Sequence, residues 1–435
     1  MKYKLAIPAA ALLTLTCGCG KIKSSGSPSE VTSSSAETAS TAVSETTTAV
    51  TTKAVITTTK KAEPPKDLVM ENKQKLGVYD KVKVADFITS TNAVLTEPDA
   101  AVDTSKTGSC EITVKYEING SQYEKTLSYT VEDNTDPIVL NSGWAANHVR
   151  GTQFDLGKYV GYADNYDSAP VLTYTGNIDP NTSGSYPITA TVTDSSGNST
   201  SWDLIIKVAD SFPPTQYDNG DPMPFTNFIG ANANTGAVSF GIDVSEWQGD
   251  IDFNAVKSDG CSFVFMRAGY CYSHIVKDPY FDQNFSRAKA AGLNTGLYFY
   301  TTASNEEQAR EQARWVIEQL GGQKLELPIA FDWEEFGTFQ EYGMSIHDIN
   351  EVYLAFADEV EKAGYTPMLY SSKNFLNTVW SEDTKKAHPV WLAHFIDRTD
   401  YTGEYDIWQG SCTGKISGIY GDVDLNVLYK ELPLS

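Results

Sequence analysis

Positive charge is scarce in this sequence: 33 Lys and Arg stand against 56 Asp and Glu, a formal charge of −23. No basic stripe is available to neutralise phosphates, which excludes a nucleic-acid partner. Net charge also gives no attraction to an anionic cell wall. Histidine is rare too. The five residues, His148, His274, His347, His388 and His394, show no metal-ligand spacing, and no H-E-x-x-H occurs. Gly410 to Lys415 approximates a phosphate loop, but it is one residue short and no Ser or Thr follows the lysine. No metal, nucleotide or other cofactor is implied. Six cysteines are too few for a disulfide scaffold. Cys261 and Cys271 are close enough in sequence to pair, yet buried free thiols are the expectation. Beyond the N-terminus no apolar run is long enough to cross a bilayer.

At the N-terminus, Lys2 and Lys4 precede an apolar stretch (5–15) and then Thr16-Cys17-Gly18-Cys19-Gly20. This is a secretory signal with a short apolar region. It resembles a bacterial lipoprotein signal, in which a cysteine after a small residue is acylated and becomes the new N-terminus. Cys19, preceded by Gly18, is the expected lipidation site, and Cys17 after Thr16 is the alternative. Ordinary secretion with both cysteines removed is the other outcome. Residues 20–65, after this 1–19 segment, are mostly Ser, Thr, Ala, Val, Glu and Lys. Such a stretch lacks the apolar area to offset ordering entropy, so a disordered tether is expected. It spans roughly 30–40 Å by the √n rule for flexible chains. The sequence thus predicts an exported protein, lipid-anchored to the outer face of a membrane or secreted, and a monomer.

The 435 residues, 41% hydrophobic and 11% aromatic, allow two to four domains. Two internal repeats lie about 76 residues apart. Val102 to Cys110 matches Ile178 to Tyr186, and each is followed by an alternating strand, a turn (Asn119-Gly120; Ser196-Gly197-Asn198) and a closing strand. Short alternating strands with such turns predict two all-β sandwiches, 66–136 and 137–210. The Y-x-I-T-x-x-V-x-D-x-x-G-N run from Tyr186 to Asn198 resembles bacterial Ig-like domains of surface proteins. Such modules act as spacers or bind carbohydrate or wall.

Residues 211–237, rich in Pro, Asn and Gly, read as a linker. From 238 to 435 strands alternate with helices. Expected strands are 240–244, 263–267, 295–300, 328–332, 366–370, 389–393, 406–409 and 423–426. Amphipathic helices are expected over 305–320 and 346–363, with Gly292, Gly321 and Gly364 as stops. Eight strands predict a parallel (β/α)8-like barrel, and under 200 residues leaves it with fewer than eight helices.

Catalytic side chains of such barrels gather at the C-terminal ends of strands. Asp332-Trp333-Glu334 ends the fourth strand, with two carboxylates on one face and Trp333 on the other. Neighbouring anions disfavour each other's ionisation, so one pKa rises. A protonated acid beside an ionised partner suits glycosidic-bond cleavage. Asp243 ends the first strand and Asp424 the last; closure brings them together. Tyr298, Tyr300, Tyr370, Trp391, Trp408 and Gln409 lie at the same ends, where rings can stack on sugars. Glu335 is expected on the opposite face, solvated or paired, and Glu246 and Asp252 as turn or cap residues.

Residues 238–435 resemble the family 25 glycoside hydrolases, lysozymes (N-acetylmuramidases) of the bacterial and phage type. The carrying motifs are Gly241-Ile242-Asp243-Val244-Ser245-Glu246-Trp247-Gln248-Gly249 with Ile251-Asp252-Phe253, Phe263 to Gly269, Ala288 to Leu293, and Gly296-Leu297-Tyr298-Phe299-Tyr300. Phe331-Asp332-Trp333-Glu334, Trp391-Leu392-Ala393, Trp408-Gln409 and Val423-Asp424-Leu425-Asn426 follow in order. The resemblance implies hydrolysis of the β-1,4 bond between N-acetylmuramic acid and N-acetylglucosamine in peptidoglycan glycan strands. It also implies Glu334 as general acid, Asp332 as its partner, and Asp243 and Asp424 as the rest of an acidic floor. His394 departs from the tyrosine common after W-x-A, which puts one subsite contact in doubt. The competing readings are a non-catalytic wall-binding or adhesive lipoprotein and a glycosidase acting on another acetylated glycan. The absence of a D-x-x-D-x-D-x-E run disfavours a chitinase.

Overall fold

The computed structural model describes residues 65–141, 145–213 and 221–432. The export signal, Cys19 and nearly all of the Ser/Thr-rich stretch lie outside the described residues. Among the described residues no helix is long and apolar enough to cross a membrane. They fall into two compact units, divided between Val131 and Glu132.

The first unit has a four-stranded sheet in the order Lys75–Gly77, Ser121–Glu132, Gly108–Ile118, Val94–Leu95, its last three strands antiparallel, and a two-stranded antiparallel pair, Met70–Asn72 with Ile88–Thr91. Its central hairpin turns at Asn119-Gly120, both at positive φ (51° and 78°). A two-residue turn with that geometry matches the right-handed twist of its strands. Val114 and Tyr116 on one strand and Leu127, Tyr129 and Val131 on the other alternate into the core around Phe87.

The second unit opens with a related β-rich domain. Its sheet runs Val171–Thr175, Gly184–Thr193, Ser199–Ala209, Ala145–Val149, the last pairing being parallel. The central hairpins begin at Gly108 and Gly184, the offset set by the repeat. This domain is fastened to the one that follows it. Gln340 donates to the carbonyls of Gly157 (2.9 Å) and Val160 (3.2 Å), and Ile346 N donates to Asp164 O (2.7 Å).

That following domain is a closed barrel of eight strands: β1 (Ser239–Val244), β2 (Phe263–Cys271), β3 (Asn294–Thr301), β4 (Ile329–Asp332), β5 (Pro367–Ser372), β6 (Val390–Ala393), β7 (Ile407–Lys415) and β8 (Val423–Leu428). The strands β1 to β7 are parallel, but β8 pairs antiparallel with both β7 and β1. The expected all-parallel barrel is corrected here. Only residues 416–422 join β7 to β8, too short a path for a parallel crossover. Helices Phe253–Ser258, Phe281–Ala291, Glu306–Leu320 and Ile346–Lys362 follow β1 to β4, and two six-residue helices, Lys373–Thr378 and Glu382–Ala387, follow β5. Asp252 caps the first, accepting from Asn254 N and Ala255 N.

Strand alternation sorts the barrel into an inside and an outside. Phe263, Phe265, Ala330, Met368, Trp391, Ile407 and Leu428 fill the interior, while Ile242, Val264, Phe299, Phe331, Leu392, Trp408 and Leu425 join the outer core under the helices. Small residues make room for large ones: a Cβ on Gly241 would stand 2.3 Å from the Phe263 ring, and one on Gly296 would stand 2.5 Å from Phe265.

The reading of 211–237 as a linker is also corrected. Met223–Pro224 pairs with β7, and helix Phe225–Asn232 buries Phe225 and Phe228 against the barrel, with Phe228 6.2 Å from the Trp408 ring. The Pro/Asn/Gly content of the flanks masked this short apolar pattern. Phe228→Ala is expected to cost about 3–5 kcal/mol, measured as a lowered denaturant midpoint for barrel unfolding. A loss below about 1 kcal/mol would fit a passive linker instead.

Candidate active site

Burial and parity bring four acids to one rim of the barrel. Asp243 and Asp424 are paired neighbours on β1 and β8; Asp424 begins its strand, and the antiparallel direction of β8 delivers it to the mouth where the parallel strands end. Asp332 closes β4, and Glu334 lies just beyond. Asp243 and Asp332 are buried; Glu334 and Asp424 are half-buried, open to the mouth and otherwise surrounded by protein.

A relay of donors with fixed polarity orients this rim. The Trp391 indole can only donate, and its Nε1 gives to Asn426 Oδ1 at 2.8 Å. Asn426 must then turn Nδ2 to Asp243 Oδ2, at 2.7 Å. In parallel, the Tyr370 hydroxyl donates to Gln409 Oε1 at 3.0 Å, and Gln409 Nε2 donates to the same Asp243 oxygen at 2.9 Å. Two amide N–H groups on one oxygen favour the carboxylate form of Asp243. Burial pushes the Asp243 pKa up, while hydrogen bonds from Gln409, Asn426 and Asp424 oppose the rise. Asp424 is raised well above the ordinary range by burial and then by the Asp243 charge, to which it hydrogen-bonds. The two amide donors on Asp243 and the strong upward push on Asp424 both favour Asp424 as the acid of this pair that keeps a proton.

Asp332 is likewise raised well above the usual carboxylate range, by burial and by Glu334 and Asp243, with Arg267 opposing. Its Oδ1 is buried without a hydrogen-bond partner among the described residues. Burial, then the neighbouring Glu335, push Glu334 up to about 7, and a hydrogen bond with Tyr370 opposes the rise. Glu334 thus holds a transferable proton near neutrality.

Several expected residues stand where sequence placed them: Tyr298, Tyr300 and Tyr370 are half-buried at the mouth. Others do not. Trp391 is 2% exposed inside the barrel, its ring 5.0 Å from Tyr370 and 4.5 Å from Phe265, so it supports the acids and offers no sugar platform. Trp408 is corrected more strongly. It faces outward, 2% exposed, donating Nε1 to His394 O at 2.9 Å. Its neighbour Gln409 points inward, and consecutive strand residues cannot share a face. Gln409 itself is buried with both amide ends engaged, which makes it a positioning residue. Glu335 is not remote from Glu334: it accepts from the Tyr300 hydroxyl and raises Glu334. Strand β4 ends at Asp332, so alternation no longer governs residue 335. Glu246 opens the 3-10 turn Glu246–Gln248, as expected of a turn residue, and pairs with Arg267 at 2.6 Å; Arg267 also pairs with Asp278 at 2.9 Å.

Asn426, Arg267 and Tyr272 were missed. Asn426 and Arg267 lie in the quoted motifs, and their inward parity was the available signal. Tyr272 lies past the expected end of β2; it is 55% exposed, and its ring is 5.4 Å from Tyr300. Cys110, Cys261, Cys271 and Cys412 are free thiols.

A closed barrel with carboxylates and tyrosines gathered at its rim has the groups that glycosidic-bond cleavage uses. Residues 242–419 match the glycosyl hydrolases family 25, and residues 140–208 match the Ig-like domain of bacterial surface proteins. The chain is 30% identical to an autolytic lysozyme of Clostridium acetobutylicum over 189 residues, covering 43% of this chain and 54% of that protein. It is 31% identical to the uncharacterized protein YegX of Escherichia coli K12 over 193 residues (43% and 68%), and 31% identical to lysozyme M1 of Streptomyces globisporus over 204 residues (43% and 66%). The chain belongs to the family 25 glycosyl hydrolases. It spans only about half of the autolytic lysozyme.

The sign of the Glu334 shift fixes a pH dependence. An acid whose folded pKa is raised binds its proton more tightly when folded. The associated stability is present below the ordinary value and is lost as pH rises through about 7. Glu334→Gln should therefore unfold at higher temperature than wild type at pH 8, with a smaller difference at pH 4. Equal differences at both pH values would contradict the shift.

Proposed function

We propose that the barrel is a muramidase that cleaves the β-1,4 bond between N-acetylmuramic acid and N-acetylglucosamine in peptidoglycan. The observation that carries the reading is the rim itself: Glu334, pushed up to about 7, stands beside Asp332, whose buried Oδ1 has no hydrogen-bond partner among the described residues. The lysozyme names of two relatives support the substrate class.

In this reading Glu334 donates its proton to the glycosidic oxygen as the bond to the anomeric carbon breaks. Asp332 Oδ1 accepts the N–H of the 2-acetamido group on the muramic acid ring, and that donor favours its carboxylate form. So held, the acetamido oxygen attacks the anomeric carbon, and positive charge develops beside the Asp332 and Asp243 carboxylates. Glu334, now a carboxylate, removes a proton from water, and the water opens the cyclic intermediate. No enzyme nucleophile is needed, and configuration is retained. Asp424 and the Tyr370–Gln409 and Trp391–Asn426 relays hold Asp243 in place. The exposed Tyr272 ring, 5.4 Å from the half-buried ring of Tyr300, is the surface on which a sugar stacks.

The architecture supports a surface role. Lipidation at Cys19 would anchor the chain, the Ser/Thr-rich stretch would tether it, and the β-rich domains would hold the barrel at the wall.

Incubation of the full chain with purified peptidoglycan, followed by analysis of new reducing ends, tests this reading. Muramic acid ends with the β-anomer formed first are expected. Glucosamine ends would indicate a different bond, an initial α-anomer would remove the acetamido mechanism, and no ends would indicate a non-catalytic wall binder. Glu334→Gln should lower turnover by at least about 10³-fold with an unchanged circular dichroism spectrum. Glu335→Gln removes a charge that raises Glu334, so the alkaline limb of kcat/KM should move to lower pH. An unmoved limb would contradict the assignment of Glu334 as the acid.

A further inference from the structure

We propose that Asp133, Asp164 and Asp194 form a calcium site in the β-rich domain that precedes the barrel. One oxygen from each lies within 4.8 Å of those from the other two, and all three residues are buried. They converge from three separate segments: the residue after strand Ser121–Glu132, the loop after Gly161–Ala163, and the turn closing the hairpin of Gly184–Thr193 and Ser199–Ala209.

Each carboxylate is fixed by donors that leave oxygen to spare. Asp164 Oδ1 accepts from Tyr166 N (2.9 Å) and Asp167 N (2.7 Å); Asp133 Oδ1 accepts from Thr135 N and Asn165 Nδ2, both at 3.2 Å. Asp194 Oδ1 accepts from Gly197 N (2.7 Å) and Asn198 N (2.8 Å), and its Oδ2 accepts from Asn198 Nδ2 (2.7 Å). Asp133 Oδ2 and Asp164 Oδ2 are buried with no hydrogen-bond partner among the described residues, and so is Asn165 Oδ1. Asp133 is 6% exposed and Asp164 is fully buried.

Three buried carboxylates, two of them with an unmatched oxygen, are costly unless a cation joins them. The donor set is oxygen only, which selects a hard cation. Buried oxygens set by irregular turns suit calcium, which accepts six to eight ligands in flexible geometry, better than magnesium, which retains several waters in a strict octahedron. The loop that carries Asp164 also accepts from Ile346 N and His347 N through its main chain (2.7 and 3.2 Å). An ion here would therefore fix the turn against which the barrel helix Ile346–Lys362 begins.

The test is calorimetric titration of the chelator-treated full chain with CaCl2 at constant ionic strength, paired with thermal unfolding. One ion per chain is expected, with a midpoint raised by about 5 °C or more at saturation. Asp164→Asn should lose the heat and the shift while keeping hydrolytic activity; because it removes one of three crowded charges, it should fold without calcium. If that variant does not fold, Asp133→Asn is read in its place. Absence of heat and shift, an equal shift from MgCl2 or NaCl, or a variant that retains the calcium response would each overturn the site.

Discussion

The acidic rim is organised around a single oxygen, Asp243 Oδ2, which receives two amide donors. Trp391, which can only donate, dictates the orientation of Asn426, and Gln409, which accepts from the Tyr370 hydroxyl, turns its amide N–H to Asp243. Those donors favour a negative Asp243. Burial pushes Asp424, Asp332 and Glu334 up, and the charge of Asp243 adds to each rise, after Glu334 at Asp332 and after Glu335 at Glu334. A hydrophobic interior with a layer of amides above it thus pushes the rim acids up, Glu334 to about 7.

The barrel architecture makes that layer possible. Reversal of the last strand places Asp424 and Asn426 beside β1 with their side chains inward, at the same mouth reached by β1 and β4. Below them, Phe263 and Phe265 fill space left by Gly241 and Gly296 and close the interior from beneath. Water is thereby kept from the inner faces of the acids. Outside, helix Phe225–Asn232 and the helices after β1 to β4 bury the other face of each strand.

Much of this was readable in the residues. Every barrel strand begins within one residue of its expected position, because apolar runs bounded by Gly and polar turns are strong signals. Helices Glu306–Leu320 and Ile346–Lys362 announce themselves by periodicity and by their caps, Asn305 and Ser345. The acids were legible from the motifs. The role of Trp408 was not, because an aromatic at a strand end reads as a platform until parity is counted from Gln409. The Asn426 and Gln409 relays need three-dimensional neighbours from β1, β5, β6, β7 and β8, which no local pattern encodes. The direction of β8 depends on the length of one connection, and Glu335 on where β4 stops. The acidic triad of the preceding domain escaped for a related reason. A search for His and Cys spacing cannot find three aspartates carried by three distant turns.

The most direct measurement of the central claim is a carboxyl 13C NMR titration of the full chain, with Glu334 assigned by comparison with Glu334→Gln. The account predicts a resonance that titrates near pH 7. A resonance titrating in the ordinary glutamate range, near 4.5, would mean that the crowded rim does not hold its proton, and would contradict the account.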